Sequence, residues 1–354
     1  MFIKRLSILF TSAVAVLVLS ACDNGDGAGR YPGGVEPTAT PDPGVTPAPS
    51  PEPNSVSMSG VAAKGLILGG VVNVYPIVDG RVGSEALAAS VVTEDDGSYS
   101  LTIADYDGGP VVVRVTADQD TQMICDLSSG CGNGSSFGDT IALSDSDFKL
   151  DAIIPGAEGG TFESVNVSVL TNTAATTALN ELAEAQDVSQ VNLANLIADA
   201  NSRVANRFGL LGDLYSIPLI DVTNPANLVG VDSRIIEFAF INTAVVQAIL
   251  QGNGDFSIAQ AANQFVAQYA ANGGLADREA TDTTAVSLAE ILAEVSRILE
   301  VVQTAIENDP SVAVDLSQLA VSIRNDRELA EMGSTEPSNG LPSDGNQSDL
   351  EKVK

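Results

Sequence analysis

The apolar residues of this chain change their period near residue 170, and no other feature of the sequence constrains the fold as strongly. Before that point apolar side chains recur at every second residue. In "SYSLTI", Tyr99, Leu101 and Ile103 alternate with Ser98, Ser100 and Thr102, as in a strand with one face in a core. After it, beginning with "TNTAATTALNELAEA" at 171–185, they recur at helical spacing. The expectation is a multidomain chain, β then α, with strands over 56–170 and helices over 171–332.

Turn chemistry sets the form of the first part. The runs "GVVNVY" (70–75), "SYSLTI" (98–103) and "PVVVRVTA" (110–117) are short and rich in β-branched or aromatic residues, and "EDDG" and "DYDGG" supply turns between them. Turn signals at intervals of about ten residues point to an antiparallel sandwich. Ser59-Gly60-Val61, the strand ending Val74-Tyr75, and Asp96-Gly97-Ser98-Tyr99-Ser100-Leu101 resemble the carboxypeptidase-regulatory-like, transthyretin-type module. That resemblance implies an immunoglobulin- or transthyretin-like β-sandwich used for accessory or display purposes. The loop "CDLSSGC" (125–131) departs from the module's short pattern.

In the second part, Ser189–Phe208 carries Leu193, Leu196, Ile197, Ala200, Val204 and Phe208 on one side, with Gly209 as a C-cap. Ser257 with Gln260, and Ser287 with Glu290, match the capping-box pattern ahead of helices. In the Ser287 helix, Ile291, Leu292, Val295, Ile298, Leu299, Val302 and Ile306 form the stripe. Glu290, Glu294, Arg297, Glu300 and Glu307 are expected to face away. Asp232–Leu250 is apolar almost all round, interrupted by Glu237 and Asn242. Such a helix is buried by its neighbours or meets an apolar ligand or partner. Ile235, Phe238, Phe240, Val245 and Ile249 are the residues expected at such a surface. Together these segments imply a C-terminal α-helical bundle, with "LYSIPLIDVTNPANLVG" (214–230) as a long irregular connection.

The N-terminus speaks to location. Lys4 and Arg5 precede a run of apolar and small residues, Leu6–Ala21. As a helix that run reaches about 24 Å, short of the ~30 Å hydrocarbon core, so residues 1–21 read as a secretory signal peptide. Leu19-Ser20-Ala21-Cys22 resembles the bacterial lipobox. The resemblance implies cleavage before Cys22 and fatty acylation of its thiol, palmitate included, with stable anchoring by several chains. Asp23 resembles the inner-membrane retention signal of enterobacterial-type lipoproteins. It implies the periplasmic face of the inner membrane, with the outer membrane as the alternative. Residues 22–55, rich in glycine and then proline, make a tether reaching up to about 100 Å. Residues 333–354 are expected to form a polar, disordered tail.

Composition narrows the chemistry. A net charge of −30, from 46 acids against 16 bases, repels phosphate backbones and excludes nucleic acid as a partner. It also repels anionic headgroups, so membrane residence requires the covalent anchor. The chain has no histidine, which removes Ser-His-Asp and Cys-His arrangements. None of the lysines, at 4, 64, 149, 352 and 354, completes a Ser-x-x-Lys motif, and Lys64 reads as a solvated strand-end charge. Acids are so abundant that no carboxylate pair points to glycoside hydrolysis, and tryptophan is absent. "SDSDFKLD", "TEDDG" and "NGDFS" offer oxygen ligands for calcium, but none fits an EF-hand loop, and water-facing turn acids are the favoured alternative. Cys125 and Cys131 read as a small disulfide staple worth about 2 kcal/mol; without histidine the usual tetrahedral metal set is incomplete.

No catalytic residue, metal site or cofactor beyond the lipid on Cys22 is expected. The expected role is a lipid-anchored cell-envelope protein that binds or scaffolds other envelope proteins without catalysis. The alternative is an accessory lipoprotein that binds or hands over a hydrophobic small molecule in an envelope uptake system.

Overall fold

Alternating runs in the first part form β1 (Val56–Ala63), β2 (Ile67–Leu68), β3 (Val71–Val78), β4 (Arg81–Val82), β5 (Val91–Val92) and β6 (Ser98–Ile103). They continue as β7 (Val111–Thr116), β8 (Gln122–Ile124), β9 (Thr140–Ala142), β10 (Lys149–Ile154), β11 (Thr161–Phe162) and β12 (Val167–Ser168). Helices follow: α1 (Val169–Glu184), α2 (Leu193–Arg207), α3 (Ser233–Gly252), α4 (Ile258–Asn272), α5 (Leu288–Asn308) and α6 (Ser317–Glu331). This computed structural model describes residues 55–332 apart from 107, 144, 157–160, 163 and 276–284. The signal segment, Cys22, Asp23, the tether as far as residue 54 and the tail 333–354 lie outside the described residues.

The sheets are mostly antiparallel. β6 pairs with β1 from Ile103↔Val56 to Ser98↔Val61, while the short β11 and β12 join β1 in parallel. A second sheet runs β10-β7-β3-β4, with β5 on β3, and a third runs β2-β8-β9. Period two decides what each face meets. Met58, Leu101 and Ile103 of the first sheet are buried in the same cluster as Val72, Val74, Val113 and Val115 of the second. Val112 and Ile153 belong to a different buried cluster, with Ala175, Ala178 and Leu182 of α1 and Ile197 and Ala200 of α2.

The change of period at 170 is a change of element rather than a boundary in packing. One buried cluster runs from Val74 and Val113 through Val169 to Phe238 and Ile298, and all described residues fall in one compact unit, Pro51–Lys354. The two expected domains therefore share a core. The join is local. Ser168 ends β12 and caps α1 in a reciprocal box with Thr171. One turn of polar residues then lies against β10: the Thr171 hydroxyl donates to the Asp151 carbonyl (3.1 Å), and the Asp151 N–H donates to Asn172 Oδ1 (3.2 Å). These side chains satisfy a strand edge in place of another strand, which explains buried polar residues in an alanine-rich helix.

Several local expectations are met. Ser257 and Ser287 form their capping boxes. Gly209, at φ +68°, closes α2, its N–H bonding to Asn206 and that of Leu210 to Ala205, as in a Schellman motif. Others change. The helix expected from Ser189 starts at Leu193, because Asn192 caps it and Val188–Gln190 forms a separate 3-10 turn. Glu294, expected to face water, is buried on α5, held by Gln247 of α3 and Arg297.

Candidate functional site

Strand β1 meets two different polar environments, one open and one sealed. The open one follows from alternation. With Met58 turned to the core, Ser59 and Val61 point outward, and pairing sets them beside Ser100 and Ser98 of β6. Across this row runs a cleft of about 710 Å³, walled by Ser164, Asn166, Pro218 and Leu219 and rimmed by Val91, Val92 and Glu94. Val92 is 55% exposed. Asn166 fixes the wall: its Oδ1 accepts from the Val61 N–H (2.9 Å), and its Nδ2 donates to the Ile217 carbonyl (2.9 Å). At Gly60 a Cβ would lie 1.9 Å from the Val165 carbonyl oxygen, so the wall reaches this close only because the residue is glycine.

The cleft offers hydroxyls and backbone more than charge. Glu94 is the charged residue among those lining it. The Tyr99 hydroxyl is committed to the Val165 carbonyl, and burial pushes its pKa up. Asp96, in the turn before β6, accepts from the Ser98 N–H (2.9 Å), and hydrogen bonding by the Ser98 hydroxyl first, then by that N–H, holds its carboxyl below the usual range. Among the described residues β6 pairs with β1 alone. On its other edge Ser98 is bonded to Glu94 and Asp96, while the backbone groups of Ser100 and Thr102 face away from β1 and are available to an added strand.

The sealed environment lies past the far end of β1. Gly65, at φ +66°, sits against the Ile124 carbonyl, 1.9 Å from where a Cβ would be. This turn directs Lys64 inward, contrary to the solvated position expected for it. Lys64 is 0% and Asp126 2% exposed, with Nζ 2.5 Å from Asp126 Oδ1. The Thr243 hydroxyl donates to Asp126 Oδ2 (2.9 Å). One turn further along α3, Gln247 accepts from the Ser128 N–H (2.8 Å) and donates to Glu294 Oε2 (2.6 Å). Asn242 donates to the Ala63 carbonyl (3.1 Å) and accepts from the Val169 N–H (3.1 Å). Cys125 and Cys131 are disulfide-bonded, so the loop that α3 grips at Asp126 and Ser128 is closed covalently.

The proposed apolar surface on α3 is not a surface. Phe238, Phe240, Val245 and Ile249 are fully buried and Ile235 is half-buried, enclosed by the protein's own side chains. This helix is long and apolar enough to cross a membrane, yet most of it is buried inside the fold. The acids of "SDSDFKLD" are drawn apart: Asp145 accepts from Ser257 Oγ (2.6 Å), while Asp151 forms a paired contact with Arg114 at 2.8 and 2.9 Å. Among the described residues, no group of three or more histidine, cysteine, aspartate or glutamate side chains is arranged to hold a metal ion.

Sequence reasoning found the outward row of β6 and missed the buried lysine. Its signal was the apolar and small residues flanking it, "VAAKGLIL", which leave a charged side chain little contact with water. No protein family, curated protein or solved structure matches this chain.

Proposed function

We propose that this is a lipid-anchored cell-envelope protein, held by acyl chains on Cys22, whose folded unit binds or scaffolds other envelope proteins without catalysis. We read its strand part as a transthyretin-type sandwich, in keeping with the facing inward rows of the β6-β1 and β10-β7-β3 sheets. Asp23 favours the inner membrane. The observation that carries the docking role is the unpaired edge of β6 beside an open, hydroxyl-lined cleft. An extended segment of a partner adds backbone hydrogen bonds at that edge and sets side chains against Val92, Ser98 and Ser100. The weak charge of the lining suits an uncharged segment, which meets little of the field of a strongly acidic chain. The carrier alternative rested on α3, whose apolar residues are filled by neighbours, so docking is favoured.

The test is photocrosslinking in the native envelope. A photoreactive residue at Ser100 or Val92 is expected to give a discrete protein adduct, and one at Val321, exposed on α6, is not. Equal labelling at the three positions, or adducts with lipid alone, would contradict docking at this edge.

A further inference from the structure

We propose that Lys64 and Asp126 become joined by an isopeptide bond, an amide between Lys64 Nζ and Asp126 Cγ that forms once the chain has folded. Three observations converge on it. The two groups touch at 2.5 Å with neither open to solvent. Among the described residues, Asp126 is the hydrogen-bond partner of the Lys64 nitrogen, whereas an ammonium carries three donors. Buried ions held so sparsely are costly, and condensation removes both charges. The Thr243 hydroxyl, donating to Asp126 Oδ2 at 2.9 Å, polarises the carboxyl during attack and remains the partner of the amide carbonyl afterwards.

The step balances within the pair. One ammonium proton passes to Asp126 Oδ1, giving a neutral amine beside a carboxylic acid. The nitrogen lone pair attacks Cγ, the Cγ–Oδ1 bond breaks, and a second nitrogen proton leaves with that oxygen as water. No oxidant or cofactor enters. Folding supplies the proximity: Gly65 aims the lysine, while α3 and the closed cysteine loop hold the aspartate. The product ties the end of β1 to a position 62 residues away, next to the Cys125–Cys131 bridge. This junction then carries two covalent staples, one of which survives reduction.

Peptide mapping of the full-length protein tests this. The chain is purified from the envelope, unfolded, reduced and digested with trypsin, which does not cut after an acylated lysine. The expected result is one branched peptide, residues 31–81 joined to 115–149, about 18 Da lighter than its parts through loss of water. A Lys64→Arg variant, which trypsin also cuts after residue 64, should give 31–64, 65–81 and unmodified 115–149 as separate peptides. Recovery from the native protein of a linear peptide ending at Lys64, with 115–149 at its unmodified mass, would overturn the proposal. The native map decides the matter even if the variant fails to fold.

Discussion

Ser59 and Val61 of β1 face outward onto an open cleft, whereas Lys64, just past the end of the same strand, is sealed beneath the cysteine loop and α3. Both regions are polar, and the difference lies in who satisfies the polar groups. At the junction every named side chain is answered from within the protein: Lys64 by Asp126, Asp126 by Thr243, Gln247 by Ser128 and Glu294. At the cleft the β6 edge has no strand partner among the described residues. A closed network fixes how the strands sit on the helices, and an open edge leaves recognition to a second molecule.

The largest effect should come from breaking the junction. Asp126→Ala strands a lysine in the interior and should cost about 3–5 kcal/mol, whereas replacing both partners by apolar residues of similar volume should cost far less. Urea unfolding measures both; a loss below about 1 kcal/mol for the single variant would mean that water reaches Lys64.

A smaller effect is expected at Glu237 on α3. Burial first, then the charge of Asp326, raises its pKa to about 7 from 4.5, with Arg234 opposing. The folded state thus favours the neutral acid. Its stabilising contribution is complete below pH 4.5 and is lost as pH rises through 7. Glu237→Gln should therefore stabilise by about 1–3 kcal/mol at pH 8 and hardly at all at pH 4. Equal gains at both pH values would show that the carboxyl is solvated.

The smallest change in stability belongs to the cleft. Ser100→Ala should alter unfolding by no more than about 0.5 kcal/mol. A loss as large as that at Asp126 would make the serine row structural and erase the contrast between the two regions.

What the sequence disclosed and what it concealed follow from the range of the interactions. The boxes at Ser257 and Ser287 and the turn at Gly209 were legible because each is completed within a few residues. The outward serines of β6 were legible because strand alternation is local. Lys64, Thr243 and Gln247 were opaque, since their partners lie 62, 117 and 47 residues away. Glu294 matched the exposed face of an amphipathic helix, and its burial is made tolerable by Gln247, arriving from α3, together with Arg297 on its own helix. The apolar girth of α3 allowed two interpretations, and its neighbours decided between them. The cleft needed the pairing of β6 with β1, strands separated by four others, which no local pattern reveals.

Hydrogen exchange, followed in the native envelope and again in detergent-purified protein, tests the division between the open edge and the sealed junction most directly. The amides of Ser100 and Thr102, which alternate with the β1-bonded amides of Tyr99, Leu101 and Ile103, should exchange fast in the purified chain and slow markedly in the envelope, while those of Thr243–Gln247 stay protected in both. Equal exchange of the Ser100 and Thr102 amides in the two settings, or new protection in the envelope only at α3, would contradict docking at the strand edge.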